Sequence, residues 1–431
     1  MTGPFSSFEW TVGPDTDPAD RLHDTAALVG ADPTDLLRAV ATAGAQIRAT
    51  VADVADRLAR RPDAVPDRAR AVLVVGGRAE EDLALAVSAI GGEPVVPVLA
   101  AEDVPGWVGP LDAVVVFAGA DDDIRAAEAA GTARRRGAWT VVRGAAAGPV
   151  ADAAGPDLLV PAVPAPEAVA AAGRLALLLA VLGAVGAAPP GAGSPALADA
   201  AEQADAVALA CHPGTESFVN PAITLADSLL GATPVLVGAD RAGSALAGHG
   251  ARVLAEIAGV AATAVAAPIA LRSPAVLVRT ASEAQDLFAD PFAGDGHDGQ
   301  PVRAVLLSGG AAGPADRAVA EVITRALPRA VRLPELPPAP VGPDGSAADG
   351  RLGAVLAQAV LLDFAAVYLG LALRAAPPVD APAGLGGHRS IGPWSGRAAD
   401  RGDDHRDDRW DDRWDDRRDD RHDDEAQERR Q

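Results

Sequence analysis

The stretch from Ala71 to Val142 constrains the fold more than any other part of the chain. Ala71 to Val75 is an unbroken apolar run ended by Gly76 and Gly77, and apolar residues then recur at helical spacing from Ala79 to Ile90. A strand feeding a helix is the expectation. Two more apolar strands are expected at Pro94–Leu99 and Asp112–Phe117, then a helix over Asp121–Arg136 closed by Gly137, then a strand at Trp139–Val142. Strands that are apolar on both faces and alternate with helices imply a parallel sheet with right-handed crossovers.

The remainder extends this plan. Asp17 to Leu58 is helical in pattern, with Asp32 expected to open one long helix through Leu36, Val40, Ile47, Val51 and Val54. After a strand at Asp157–Val160, the apolar helix Glu167–Val185 runs into Ala-Ala-Pro-Pro-Gly-Ala-Gly, a linker by composition. Helices at Pro195–Leu209 and Asn220–Leu230 lead to a second α/β unit. It comprises strand Thr233–Val237, helix Ala242–Ile257, strands Ala262–Ala267 and Val302–Leu307, helix Pro314–Ala326, and a long helix Ala348–Ala375. The expected fold class is therefore α/β, with two parallel-sheet αβα sandwich domains, flanking helices and a disordered C-terminal tail. The expected divisions are a helical lead-in over 1–62, a first domain over 63–190, a second over 191–383 and the tail over 384–431. In that tail Asp403 to Asp424 repeats Asp, Arg and Trp with almost no aliphatic residue, too little apolar surface to offset the entropy of ordering.

Composition narrows the function classes. Hydrophobic residues make up 49% of the chain but aromatics only 3%, so the core must be built from Ala, Val and Leu. The sequence contains no lysine, which excludes Schiff-base and lysine-base mechanisms. A formal net charge of -22 would repel a polyanion, so no nucleic-acid partner is expected. The single cysteine, Cys211, cannot form an internal disulfide, and no zinc spacing can be assembled, so neither metal nor cofactor is expected. The N-terminal residues have neither a basic start nor an apolar run, and a cytoplasmic protein is the plainer expectation. Ala168–Ala188 and Leu352–Leu373 are apolar enough to suggest membrane spans, but Arg174 interrupts one and Gln358 and Asp363 the other. Buried helices, and no membrane, are expected.

Local motifs are sparse. Gly76-Gly77-Arg78-Ala79-Glu80-Glu81 lacks the third glycine of a dinucleotide turn, and the absence of lysine forbids a P-loop. The block Val219-Asn220-Pro221-Ala222 with Leu225-Ala226, and above all Leu362-Asp363-Phe364-Ala365-Ala366-Val367-Tyr368-Leu369-Gly370-Leu371, resemble the bifunctional phosphoglucose/phosphomannose isomerases. These are proteins of two sugar isomerase (SIS) domains. The resemblance is nearest to a divergent actinobacterial branch and spans Ala71 to Pro382. It implies a sugar-phosphate ligand in a cleft between two SIS domains, a homodimer, and aldose–ketose isomerisation.

Position by position, that chemistry is depleted. Where the family's third strand enters a Ser-x-Ser-Gly-Asn-Thr-Glu-Glu phosphate loop, this chain has Val116-Phe117-Ala118-Gly119-Ala120-Asp121-Asp122-Asp123. Carboxylates there suit a helix first turn but repel a phosphate by ~4 kcal/mol per charge a few ångströms away at an effective dielectric near 20. The first turn keeps Gly76 and Gly77, with Arg78 in place of the family's Ser. These three and Gly119 are the candidate ligand-binding residues. The family's Glu-Leu-Asn-His-Asn-Glu block is replaced by Ala267-Pro268-Ile269-Ala270-Leu271-Arg272-Ser273-Pro274, and Glu167 stands where an Arg is expected after Pro166. Substitute acid–base groups could come from Cys211-His212-Pro213-Gly214-Thr215-Glu216, with Glu216 and His212 the candidates. His249, flanked by glycines, is expected as a packing or surface residue. Three functions follow: a sugar-phosphate-binding SIS protein with degenerate catalytic motifs, an isomerase with relocated acid–base groups, or an interaction scaffold using the tail.

Overall fold

The computed structural model describes residues 17–61, 65–90, 95–120, 122–273, 301–310, 313–333 and 349–374. The tail and its Asp/Arg/Trp run, Asp121, and Pro274 lie outside the described residues.

The chain opens with helices α1 (Pro18–His23), α2 (Thr25–Gly30), α3 (Leu36–Ala41) and α4 (Ala43–Arg60). Asp32 caps as expected, accepting from the N–H groups of Leu36 and Leu37, but the long helix is divided at Thr42. There the Thr42 hydroxyl donates to the Ala39 carbonyl, closing α3.

The first sheet contains β1 (Val72–Val75), β2 (Val98–Ala101), β3 (Ala113–Phe117), β4 (Trp139–Arg143) and β5 (Leu158–Leu159). They are all parallel, in the order β2-β1-β3-β4-β5. The connecting helices are α5 (Arg78–Ile90), α6 (Ile124–Arg135) and α7 (Pro149–Ala154), and α8 (Ala171–Ala184) follows β5. The second strand lies later than the expected Pro94–Leu99, because Pro97 has no N–H to give the ladder and offers only its carbonyl, to Val72. Burial on both faces explains the unbroken apolar runs: Val72, Val74, Val115 and Phe117 face one core, and Leu73, Val75, Val114 and Val116 face another beneath α6.

After α9 (Ser194–Ala210) and α10 (Pro221–Leu229), the second sheet is built from β6 (Thr233–Gly238), β7 (Thr263–Ala266), β8 (Val302–Leu307) and β9 (Val331–Arg332). They too are parallel, in the order β7-β6-β8-β9. The remaining helices are α11 (Arg241–Ala258), α12 (Ala267–Ala270), α13 (Pro314–Ala326) and α14 (Asp349–Leu373). The block Asn220-Pro221 acquires a local reason: the Asn220 side chain accepts from Ala222 and Ile223 N–H, capping α10, and Pro221 takes its first position.

One apolar cluster runs from Leu22 to Ala372 and joins the inner faces of both sheets. Between them α5 meets α11, and α14 contacts α9, α10 and α11. By length and composition α14 could cross a membrane, yet 89% of its most apolar window is buried inside the protein. Its Gly370 explains one such contact, since a Cβ there would lie 2.8 Å from the Ile257 carbonyl oxygen of α11.

Candidate functional site at the carboxyl ends of the sheets

In an open parallel sheet a ligand enters where neighbouring strands lead their connections to opposite faces. The first sheet has this point between β1 and β3, the second between β6 and β8. The turns after β1 and β3 hold Gly76, Gly77 and Gly119, so sequence and topology converge on one place. At each point a carboxylate of the protein accepts from backbone N–H groups, Asp123 at the first and Asp240 at the second.

After β3, Asp123 accepts from Gly119 N–H at 3.2 Å and from Ala126 N–H at 3.0 Å, capping α6. After β1, the Glu80 carboxylate folds back over Gly76, and a Cβ there would lie 2.5 Å from its Oε2. After β6, Asp240 spans the switch point, accepting from Gly243 N–H at 2.7 Å on one turn and from Gly309 N–H at 3.2 Å and Ser308 Oγ at 2.5 Å on the other. Each carboxylate occupies a setting that would otherwise favour a ligand's anion. Arg78 begins α5, and its side chain lies outside the described part of the structure.

A chain of paired charges, buried except at Glu167, continues from Glu80. Glu80 pairs with Arg174 of α8; Arg174 Nη1 lies 3.3 Å from Glu167 Oε2, and Arg143 Nη1 2.8 Å from Glu167 Oε1. The Arg174 guanidinium also stands 4.7 Å from the ring centroid of Phe117, a cation–π contact. Burial, with Arg252 nearby and against an opposing effect of Glu256, pushes Arg174 down to about 9, which still leaves it charged at neutral pH. These four charges cancel, so the ladder welds α8 to the sheet and presents no net charge to a ligand.

Two cavities open at these carboxyl ends. The first, about 520 Å³, lies over β3, β4 and β5, with Gly119, Asp122, Arg143 and Glu167 among its lining residues. The second, about 330 Å³, lies at the ends of β6, β8 and β9, where Ser308, Thr324, Arg332 and Gln358 supply the polar lining. A third, about 50 Å³, lies between α5, α8, α11 and α14, with Arg174, His249 and Arg252 on its wall.

His249 is buried and fully engaged, correcting any reading of it as a surface residue. Its Nε2 lies 2.7 Å from Asp363 Oδ1 and its Nδ1 3.1 Å from Arg252 Nη2. Arginine can only donate, so Nδ1 accepts and the Nε2 proton goes to Asp363. No ring nitrogen remains for a substrate proton.

His212 and Glu216 lie elsewhere, exposed in the turn after α9; His212 Nδ1 accepts from Gly214 N–H at 2.9 Å. Neither lines one of the three cavities just described. The Ala267–Ser273 block forms α12 and the turn after it. Among the described residues no cluster of three metal-ligating side chains occurs. Sequence reasoning missed Glu80, Asp240 and Arg332. A carboxylate early in a helix looks like ordinary dipole complementation, and nothing local to Asp240 signals its contact with Ser308 and Gly309.

Two parallel modules, ordered 2-1-3-4-5 and 2-1-3-4 and sharing a helical middle layer, define an α/β fold of the sugar-isomerase type. Solved structures share it across most of their length. One is a tagatose-6-phosphate ketose/aldose isomerase from Escherichia coli: TM-score 0.51, 13% identity, covering 80% of this chain and 93% of that one. Another is the C-terminal domain of a glucosamine-fructose-6-phosphate aminotransferase from Francisella tularensis, at 0.51 and 9%, covering 80% and 98%. A hypothetical protein from Thermus thermophilus gives 0.54 and 13%, covering 82% and 89%. No model of a known family matches the chain, and no curated protein matches it. At these identities the likeness is one of fold.

Proposed function

We propose that this chain is a two-module SIS protein of the phosphoglucose/phosphomannose isomerase type that binds a sugar phosphate or related carbohydrate derivative without interconverting aldose and ketose. One observation carries the reading: backbone N–H groups at the two switch points are taken by Asp123 and Asp240, and the Glu80 carboxylate packs against Gly76 in the β1 turn. The engagement of both nitrogens of His249 supports it, since a proton shuttle needs one free. Cavities of 520 and 330 Å³ at the sheet ends fall in or near the size range of small-molecule sites. A homodimer is part of the proposal, supported by the exposed apolar side chains of Leu209, Phe218 and Val219 around the turn after α9.

The test presents glucose 6-phosphate, fructose 6-phosphate, mannose 6-phosphate and the corresponding free sugars to the purified chain. Thermal unfolding and a coupled isomerase assay are followed together. Ligand-linked stabilisation without turnover is expected. Turnover that Glu216→Gln abolishes and Glu256→Gln leaves intact would replace this reading with an isomerase whose acid–base groups have moved.

A further inference from the structure

The two sheet-end cavities differ in charge, and the difference assigns them different ligand chemistry. The first has two carboxylates on its lining, Asp122 and Glu167, and its one guanidinium, Arg143, is bound to Glu167. The second has Arg332 and no carboxylate among its lining residues. Asp240 is not among those lining residues: it is buried behind Ser308 and accepts from Ser308 Oγ, Gly243 N–H and Gly309 N–H.

The donors left over face one way chemically. Arg332, the last residue of β9, is exposed and has no ion-pair partner among the described residues. Thr324 of α13 has a hydroxyl without a hydrogen bond among the described residues. Gln358 of α14 gives one amide hydrogen to the Ser308 carbonyl at 2.8 Å and keeps the other. A fork of guanidinium donors, a hydroxyl and an amide suit the three oxygens of a phosphoryl group. Walls formed by Ala239, Leu306 and Leu333 are apolar.

Resting on the carbohydrate-binding reading above, we propose that the phosphoryl group of the ligand is held in the second module, by Arg332 with Thr324 and Gln358, and not at the glycine turns of the first. Both switch points hold a resident carboxylate, but the first cavity is itself lined by Asp122 and Glu167, whereas the second is lined by none and offers Arg332, a cation with no ion-pair partner among the described residues.

The experiment measures binding of glucose 6-phosphate, inorganic phosphate and free glucose to the full chain by calorimetry and thermal shift. It compares the unaltered protein with Arg332→Ala, Arg332→Lys, Thr324→Val and Ala146→Trp, the last obstructing the first cavity. Arg332 and Ala146 are exposed, so these variants are expected to fold. Loss of one charge-assisted contact should raise the Kd for glucose 6-phosphate about tenfold in Arg332→Ala. Arg332→Lys should recover part of it, Thr324→Val should weaken binding less, and Ala146→Trp should leave it unchanged. Glucose 6-phosphate affinity that survives Arg332→Ala but falls in Ala146→Trp overturns the assignment and leaves the carbohydrate-binding reading standing. Binding of free glucose alone, with no response to either phosphate, does the same. No response to any of the three compounds overturns both.

Discussion

Gly76 and Glu80 are complementary: the carboxylate of Glu80 lies in the space a side chain at position 76 would need, with Oε2 2.5 Å from where a Cβ would stand. At Gly77, one residue on, the same oxygen would be 4.0 Å from a Cβ, ordinary contact. Gly76→Ala should therefore destabilise the protein by ~1–3 kcal/mol, the usual cost of overpacking around a fixed group, while Gly77→Ala stays within about 0.5 kcal/mol. Urea unfolding of both variants separates the two. Equal losses would mean that Glu80 does not fix the turn.

Glu80 is fixed because Arg174 holds it, and the pair is buried on both sides. Removing Arg174 strands Glu80, whereas removing Glu80 leaves Arg174 paired with Glu167. Arg174→Met should cost ~3–5 kcal/mol and Glu80→Met less, whereas the two combined should cost less than the sum of the single substitutions, because Glu167 keeps Arg143 and no charge is left uncompensated. A double-mutant cycle on unfolding free energies reads this directly. Additive losses would remove the ladder from the account of how α8 is held.

Much of the fold was legible from residues whose role is local. The runs Val72–Val75 and Ala113–Phe117 are apolar on both faces, so periodicity alone marks them as central parallel strands. The start of Val98–Ala101 is not legible, because Val95 and Val96 are as apolar as the strand itself and only the missing N–H of Pro97 decides where the ladder starts. The break at Thr42 was hidden because Leu36, Val40 and Ile47 keep one helical spacing across it. The candidate site was half legible. Gly76, Gly77 and Gly119 mark the turns by composition, but what fills them depends on contacts between residues far apart, such as Asp240 with Ser308 or Glu80 with Arg174. No local pattern encodes such pairs.

Asp123 serves two N–H groups, and substitutions can separate its cap from its charge. Asp123→Ala should cost about 1 kcal/mol, the usual loss of an N-cap, and Asp123→Ser should recover most of it because a hydroxyl can still accept from Ala126. Both should free the Gly119 N–H and remove a negative charge from the first switch point. If the resident carboxylate is what keeps anions away, inorganic phosphate should raise the Tm of Asp123→Ser more than that of the unaltered chain. Equal shifts in both would show that Asp123 is a cap and nothing else.

Cys211 links burial to pH. Burial pushes its thiol up to about 12, against a modest opposing effect of the Ala222 backbone, and the thiol is fully covered beneath the turn after α9. The neighbouring Tyr368, whose hydroxyl donates to the Cys211 carbonyl at 2.7 Å, is pushed upward too, chiefly by burial. Both native groups hold their protons at pH values where an unfolded cysteine, near 8.5, and an unfolded tyrosine, near 10, release them. The native state then binds more protons than the unfolded state, and stability falls as pH rises through this window. Unfolding free energy should be flat between about pH 7 and 8 and drop by a few kcal/mol by about pH 11, with a shallower drop in Cys211→Ala. The native thiol should also resist a disulfide reagent at about pH 8 and react fully in urea. Rapid labelling of the folded chain, or an alkaline slope unchanged in Cys211→Ala, would contradict the burial that ties α9, α10 and α14 together at this point.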